Sequence, residues 1–503
     1  MSRINTNISS LISQRVLGEN NFSLTNSLER LSTGLRINRG KDDPAGLIAS
    51  ENLRGEIKAL NAAVGNSERA DQVVNIAEGG LQEISSLLTE LQGLLTSSAS
   101  TAGQSASEKS ANQDQIDSIL QTIDRIAGAT SFQGTKLLNG SFDYQTQSVA
   151  AGITDFKVNG AKFEGSSLAV QAVITQSAQQ GGLYLSLGGA TLDLGGATSA
   201  FVIEIAGSKG SRELQFTSSQ TIATIVAAVN TFSDVTGVTA SAGTTGVSLR
   251  STEYGSNEFV SVKVVDDGGI TGGDGIHNFN SGDTSTINTT VASTYSAASN
   301  PLRDEGQDVG GTINGLLATG KGKKLSVNSD FLNVSMNFNT TTATTLASVN
   351  AFTITGGGAD FQLSSDVNIA GRVSLGISNV AVRNLGTNSL GFLDDLGSGK
   401  SYDLTTTDST GLSSAQKIIN EAIDQVSSLR GRLGAFQKNV IGATIRSLGV
   451  TIENTSAAES VIRDADFANE TASLTRNQIL VAASTNVLSL ANQRPQAVLQ
   501  LLG

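Results

Sequence analysis

Cysteine and tryptophan are absent from the 503 residues, histidine occurs once, at His277, and proline only three times. Without thiols there is neither a disulfide framework nor a cysteine nucleophile, and one imidazole cannot furnish a His/Cys metal cluster. Cations are in deficit too: 33 Lys and Arg stand against 45 Asp and Glu, a formal net charge of −12. That balance repels polyphosphate and anionic lipid, so neither nucleic acid binding nor membrane insertion is expected. No run approaches the ~20 apolar residues that span a bilayer. The first twenty residues alternate Ile and Leu with Asn, Ser and Thr and lack the continuous apolar core of a secretory leader, so a cleaved signal peptide is not expected. Lack of cysteine suits exported and cytosolic proteins alike.

What is present divides by region. Scarce proline leaves long stretches free to be helical, while 55 glycines imply many tight turns elsewhere. Up to about residue 140, apolar residues recur at helical spacing: Leu24, Leu28, Leu31 and Leu35, then Leu53, Ile57, Leu60 and Val64. That second run is interrupted at Ser67 and Asp71 and resumes as Leu81, Ile84, Leu88, Leu91 and Leu95; a third comprises Ile116, Ile119, Ile123 and Ile126. Asp42-Asp43-Pro44 reads as a helix start, with a carboxylate cap before a proline whose missing N–H costs nothing in the first turn. A helix from there to about Leu95 would be a rod roughly 75 Å long at ~1.5 Å per residue. Near the C-terminus Ile419, Ala422, Val426, Leu429, Leu433, Phe436, Val440 and Ala443 form a heptad seam that needs a partner helix, and the N-terminal helices are the nearest candidates.

Between about 141 and 410 the texture changes to short runs bounded by glycine-rich turns, such as Leu183–Leu187, Phe201–Ile205 and Val260–Val265, which read as strands. Ile222–Val229 reads as a short helix, because Ile222, Ile225, Val226 and Val229 share one face. The expected fold class is mixed α and β and multidomain. N- and C-terminal helices pair as a long coiled-coil-like bundle, and a β-rich central insertion forms outer domains. The insertion is expected to hold two subdomains that meet near Asp266-Asp267-Gly268-Gly269 or Gly272-Gly273-Asp274-Gly275.

The search for chemistry is mostly empty. His277 lies in a glycine-rich stretch with no HExxH and no second ligand, and reads as a solvent-exposed turn residue. Gly272-Gly273-Asp274-Gly275 lacks the alternating acidic ligands of a calcium loop. Asp42-Asp43 and Asp464-Ala465-Asp466 are paired carboxylates at helix edges, where capping accounts for them. There is no GxSxG, phosphate loop or dinucleotide fingerprint. No catalytic, cofactor-binding or metal-binding residue is assigned, and no enzyme activity is expected.

Residues 1–40 and 456–503 combine helical periodicity with many Asn, Gln, Ser and Thr and carry too little apolar surface for a core of their own. Two readings stay open: ordering only against copies of the same chain, through a head-to-tail contact that generates a filament, or an ordinary intramolecular coiled coil with frayed tips.

SLERLSTGLRINRGKDDPAGLIASENLRGEI (27–57), IDRIAGATSFQGTKLLNG (123–140), SSLRGRLGAFQKNV (427–440) and ESVIRDADFANETASLTRNQILVAASTNVLSLANQRPQAVLQLL (459–502) closely resemble the two ends of bacterial flagellin. The resemblance covers rather less than half of the chain, and the segment from Phe201 to about Val265 is similar to a small repeat module in the outer region of some flagellins. It implies a structural subunit that polymerises into the flagellar filament for swimming. A terminal helical core (1–43 and 456–503) would lie on the lumen side. A helical rod with β-hairpin elements (44–175 and 372–455) would follow, and a variable outer region (176–371, in parts 176–268 and 269–371) would project outward. Alternatives within the resemblance are a hook-filament junction protein, or a filament subunit whose outer region doubles as an adhesin.

The same resemblance implies self-assembly and helix-pairing roles for Leu28, Leu31, Leu35, Asp42, Asp43, Leu53, Ile57, Arg430, Leu433, Phe436, Arg463, Asp464, Asp466, Phe467, Arg494 and Pro495. Asp42 to Gly46 would mark the turn between core and rod. Implied partners are identical subunits, hook-associated junction and cap proteins, an export chaperone and the flagellar secretion apparatus, with the product extracellular, in the flagellum. Leu88, Glu90 and Leu94 match the rod stretch that faces the innate-immune flagellin receptor. Stimulatory flagellins usually have arginine at the position of Glu90, so the reversed charge implies weak activation.

Overall fold

The computed structural model describes residues 6–100, 105–196, 199–270, 275–280 and 283–500, with backbone only at 283–285 and 494–500. Its helices are α1 (Ile8–Thr33), α2 (Pro44–Ser98), α3 (Ala106–Ala129), α4 (Ile222–Thr231), α5 (Ser233–Thr236), α6 (Thr340–Thr344), α7 (Ser409–Ala435), α8 (Gly442–Arg463) and α9 (Phe467–Gln500), with a π-helical turn, Phe436–Ile441, joining α7 to α8. Between them the chain is mainly antiparallel β, so the fold is mixed α and β and multidomain.

The chain divides into two compact units. One comprises residues up to Gln72, Phe361–Arg372 and residues from Ala435 on; the other comprises Val73–Asp360 and Val373–Gly434. The break therefore falls inside α2, whereas the sequence places a boundary at 43/44. Residues 361–371, expected in the outer region, belong to the first unit.

Helix α2 begins at Pro44 because Asp43 caps it: Asp43 Oδ1 accepts from Gly46 N at 2.9 Å. Its buried face is one stripe of Leu60, Ala63, Ser67, Ala70, Val74, Ala77, Leu81, Ile84, Leu88, Leu91, Leu95 and Ser98, alternating three- and four-residue steps. The apparent interruption is thus part of the seam. Ser67 is fully buried and satisfies its hydroxyl by donating to Ala63 O at 2.8 Å, while Val64 lies off the stripe. Helix α7 buries Ile419, Ala422, Val426, Leu429 and Leu433 as expected, and Ala415 and Ile418 besides. Beyond Phe436 the seam departs from expectation: Ile441 is buried, Val440 is half-buried and Ala443 exposed. The π turn inserts one residue, so the buried face lands one position later than a heptad predicts.

The second unit contains two β cores. One is built from a five-stranded sheet in the order Asp283–Ser293, Gly275–Asn280, Gly182–Ser186, Gly246–Ser251, Val238–Ala242, and a four-stranded sheet in the order Leu302–Glu305, Phe259–Asp266, Ala200–Gly207, Gly210–Thr217. Leu183, Leu185, Phe201, Ile203, Val247 and Val260 fill it, and α4 covers it with Ile222, Ile225 and Val229, the face read from the sequence. The other core belongs to an eight-stranded sheet formed by residues 144–176 and 310–357, around Met336, Phe338, Phe352 and Ile354. The cores part near residues 178–181 and 306. The expected division at 268/269 is corrected by strand pairing: Phe259–Asp266 pairs with Leu302–Glu305, and Gly275–Asn280 with Gly182–Ser186, so both sides of 268 share one core.

His277 is likewise corrected. It sits on a strand at 7 % exposure, with Nδ1 3.0 Å from Asn288 O, not on an exposed turn. Asp266 and Asp267 do form a turn, accepting from Gly268 N and Gly269 N. The loop at Gly272-Gly273-Asp274 lies outside the described residues.

Candidate functional site

Helices α1 and α9 pair antiparallel within the first unit, and their seam is unusually rich in small polar residues. On α1 the facing positions are Ser10, Ser13, Leu17, Asn20, Leu24, Ser27 and Leu31; on α9 they are Glu470, Leu474, Asn477, Val481, Ser484, Leu488 and Ala491. Both rows keep three-four spacing, yet the most buried positions on α1 are serines. Hydrogen bonds tie the rows together. Asn7 Nδ2 donates to Ala491 O at 2.9 Å, Ser10 Oγ to Asn492 Oδ1 at 2.7 Å, Asn20 Nδ2 to Ser484 Oγ at 2.6 Å and Asn477 Nδ2 to Ser27 Oγ at 3.1 Å. Arg30 and Glu470 approach to 4.0 Å.

Leu17, Leu24, Leu31, Leu474, Val481 and Leu488 are half-buried between the polar seam positions, but other large apolar groups lie on the outside. Ile8, Leu11, Ile12, Phe22 and Leu28 are exposed on α1, and Phe467, Ile479, Leu480, Val487 and Leu490 on α9, with Phe22 at 58 % and Ile479 at 64 %. Ile8, Ile12 and the partly covered Val16 succeed one another at four-residue steps, as do Leu480, Val487 and Leu490 at steps of seven and three, so these groups form stripes. Contiguous exposed apolar surface on this scale marks an interaction surface. Each large aliphatic side chain contributes about 1.5–3 kcal/mol when fully buried, and none of these is buried here.

Below this pair the chain makes a compact crossing. Gly34 ends α1 in the left-handed conformation at φ +73°, donating its N–H to Arg30 O at 2.9 Å. Leu35 then bridges to Asp464 between α8 and α9: Arg36 N donates to Arg463 O at 2.7 Å and Ala465 N to Gly34 O at 2.9 Å. Arg463 pairs with Glu51 at 3.1 Å and with Glu459 at 3.9 Å, and Arg36 Nη2 donates to Ile462 O at 2.6 Å. Asp466 caps α9 by accepting from Ala468 N at 2.9 Å, and Asp464 accepts from Ser460 Oγ at 2.6 Å. Asp42 Oδ2 accepts from Arg39 N at 2.8 Å and Asn38 N at 3.2 Å, and these backbone donors hold its carboxyl below the usual carboxylate range.

The expected residues thus fall into groups. Leu35, Arg463, Asp464 and Asp466 meet at the crossing, Asp42 and Asp43 build the turn into α2, and Leu53 and Ile57 are half-buried on α2. Leu28 and Phe467 are exposed, Leu31 is half-buried in the seam, and Arg494 and Pro495 fall in α9 as backbone. In the second unit Arg430 Nε donates to Glu78 Oε1 at 2.9 Å, fixing α7 to α2, and Leu433 is fully buried; Phe436 is buried at the π turn of the first unit. Of the rod trio Leu88 is fully buried, so only Glu90, which is exposed, and Leu94, half-buried, reach solvent. The sequence did not point to Glu51, Glu459 or the Asn/Ser seam. The steps of seven at Ser13, Asn20 and Ser27, and at Asn477, Ser484 and Ala491, were its available signal.

Charged groups elsewhere serve the scaffold. A cavity of about 430 Å³ in the second unit lies between the polar side of α7 and the eight-stranded sheet. There burial pushes Arg432 down to about 10 and Asp143 up; Arg432 Nη2 donates to Gly376 O at 2.9 Å, and its Nε is buried without a partner. Among the described residues no group of three or more acidic or histidine side chains could hold a metal ion, and no helix is long and apolar enough to cross a membrane.

Comparison with known proteins agrees with this geometry. Residues 4–143 match the bacterial flagellin N-terminal helical region and residues 416–502 the bacterial flagellin C-terminal helical region. The chain is 30% identical to the B-type flagellin of Pseudomonas aeruginosa, the match covering 99% of each chain. It is 27% identical to flagellin B of Helicobacter pylori over 99% of each, and 27% identical to a flagellin of Clostridium tyrobutyricum over 98% of this chain and 100% of that one. With both helical ends in order and the likeness running the whole length, this chain belongs to the bacterial flagellins, the structural subunits of the extracellular flagellar filament.

Proposed function

We propose that the exposed apolar stripes of α1 and α9 are the contact by which neighbouring subunits hold one another in the filament. The observation that carries this is the apolar surface left uncovered by the helix pair: the seam alternates half-buried leucines with hydrogen-bonded serine and asparagine, while Ile8, Leu11, Ile12, Phe22, Ile479, Leu480 and Leu490 stay outside. A seam so diluted with polar groups fixes register but supplies limited cohesion, and the uncovered apolar groups gain burial only against another chain. A head-to-tail contact of this kind repeats without closing and yields a helical polymer.

Within that reading Leu28, Leu31, Leu35 and Phe467 belong to the assembling core, with Arg494 and Pro495 near its far end. Arg463, Asp464 and Asp466 hold the crossing, Asp42, Asp43, Leu53 and Ile57 open the rod, and Arg430, Leu433 and Phe436 pair its helices. The α1–α9 pair lines the lumen, helices α2 and α7 contribute to the rod, and the two β cores of the second unit project outward. Hook-associated junction and cap proteins contact the filament ends. Export proceeds unfolded through the flagellar secretion apparatus with a chaperone, which the lack of cysteine favours because no disulfide has to be opened.

Seeded elongation followed by electron microscopy tests the central claim. Wild-type monomer should extend short filament seeds, whereas Ile12→Ser and Leu480→Ser monomers, with unchanged helical circular dichroism, should not. Elongation of both variants at the wild-type rate would place the assembly contact elsewhere.

A further inference from the structure

The chain passes between the two β cores of the second unit twice, at 177–181 and at 306–309, on either side of the residues 182–305 that form the two-sheet core. These connectors run side by side. Gln179 N donates to Gln307 O at 2.8 Å and Gln307 N to Gln179 O at 3.0 Å. Two adjacent connectors are by themselves a hinge, since a change in a few backbone dihedrals there reorients one core without disturbing the packing of either.

A further contact closes the joint. The loop 252–258 of the two-sheet core reaches the turn Gly322-Lys323, which links strands 316–321 and 324–328 of the eight-stranded sheet. Asp308 holds both sides: its Oδ1 accepts from Ser256 N at 3.1 Å and from Gly322 N at 2.7 Å, and its Oδ2 accepts from Ser256 Oγ at 2.5 Å. Burial by itself raises its carboxyl, but the bonds from Ser256 and Gly322 and the charge of Lys321 outweigh that and hold it below the usual carboxylate range. An ionised acceptor therefore serves the loop and the turn together, in the stronger, charge-assisted form of the bond. Beside it Tyr254 packs on the eight-stranded core, with Lys323 Nζ 5.2 Å from the centre of its ring. The backbones come too close to admit a side chain between them. Gly255 is buried at φ +124°, and a Cβ there would stand 2.7 Å from Asp308 Oδ1 and 2.9 Å from Gly322 Cα.

We propose that Asp308 is a latch that locks the loop 252–258 against the turn Gly322-Lys323 and so holds the two β cores as one rigid body. Without it the paired connectors at Gln179 and Gln307 work as a hinge, and the two-sheet core no longer keeps a fixed orientation on the eight-stranded one. Pulsed dipolar electron paramagnetic resonance on the full-length monomer tests this. The chain has no cysteine, so Glu213→Cys in the two-sheet core and Leu317→Cys in the eight-stranded sheet, both at exposed positions, each take one nitroxide label. With Asp308 in place the distances between labels should form a single narrow distribution. Asp308→Ala should lose that narrow peak to a broad one, while thermal unfolding by circular dichroism still shows folded cores. Should Asp308→Ala unfold a core, Gly255→Ala decides in the same way, because it leaves the carboxylate and wedges the loop away from it. A narrow distribution in folded Asp308→Ala, or in Gly255→Ala where that variant decides, would overturn the proposal. So would a distribution already broad with Asp308 in place.

Discussion

Asn20 and Ser484 face each other at the α1–α9 seam, the asparagine amide donating to the serine hydroxyl at 2.6 Å while that hydroxyl donates to Leu480 O at 2.6 Å. A polar pair at a seam position sets register at the expense of stability, because leucines there would bury more apolar surface. The double variant Asn20→Leu, Ser484→Leu should therefore raise the stability of the monomer's helix pair by about 1 kcal/mol or more. Thermal unfolding followed by circular dichroism reads this directly. A lower melting temperature would mean that the hydrogen bond outweighs the burial gained.

Ser67 poses the converse case on α2. It is fully buried in a stretch of small residues, Ala63 and Ala70, and its hydroxyl is satisfied within the helix. Leucine at this position overfills the site and should cost about 1–3 kcal/mol. Alanine should be close to neutral, since it removes the hydroxyl together with its need for a partner and has higher helix propensity. Denaturant unfolding of the two variants separates a size effect from a hydrogen-bond effect; equal losses in both would contradict close packing there.

Much of this architecture was legible because helical rods repeat one rule many times. Pro44 after two aspartates, and leucines and isoleucines at three-four spacing through Leu95, marked α2 without ambiguity. Ser67 was misread because a buried serine that bonds its own helix looks, in sequence, like the polar side of an amphipathic one. The shift from Val440 to Ile441 depends on a π turn, and no residue type announces one. The division of the β region was harder still. Strand 275–280 reaches back to pair with 182–186 and strand 302–305 pairs with 259–266, across residue 268 in both cases, and short alternating runs do not reveal which strand they will join. At the proposed assembly surface the sequence showed that the ends are poor in core-forming residues. It did not show that the serines would face inward and the isoleucines outward, because both faces carry three-four spacing.

Glu90 is exposed, and we propose, from the resemblance of Leu81 to Leu95 to the receptor-facing stretch of stimulatory flagellins, that it stands where those proteins usually carry arginine. Opposite charge at a contact position costs affinity through unpaired or repulsive approach. Purified monomer should therefore be a weak activator of cells reporting the innate-immune flagellin receptor, and Glu90→Arg should raise its potency by tenfold or so, about 1.4 kcal/mol of binding. Leu94→Ala should lower the potency of that variant further. Leu88→Ala should act through stability instead, because Leu88 is fully buried. Strong activation by the unmodified monomer would refute the charge argument.

Asp403 makes the pH dependence of the second unit testable. Burial by itself would push its carboxyl up, but bonds from Gly399 N at 2.8 Å, Thr405 Oγ1 at 2.6 Å and Thr405 N at 2.8 Å outweigh that and hold it below the usual carboxylate range. A carboxyl lowered on folding binds its proton more weakly in the native state. Its stabilising contribution is therefore complete above the unfolded-state value near 4 and lost as pH falls through the lower native value. Asp403→Asn should cost about 1–2 kcal/mol at pH 7, where the wild-type side chain is ionised and accepts three hydrogen bonds. The gap between the two proteins should begin to close as the pH drops below about 4, where the unfolded carboxyl takes up its proton, and close fully only below the lower native value, where the folded wild type carries a neutral side chain as well. Other titrating groups are common to both proteins and cancel in the difference, so urea unfolding of the pair at several pH values isolates this residue. A gap that stayed constant with pH would show that Asp403 acts through shape and not through charge.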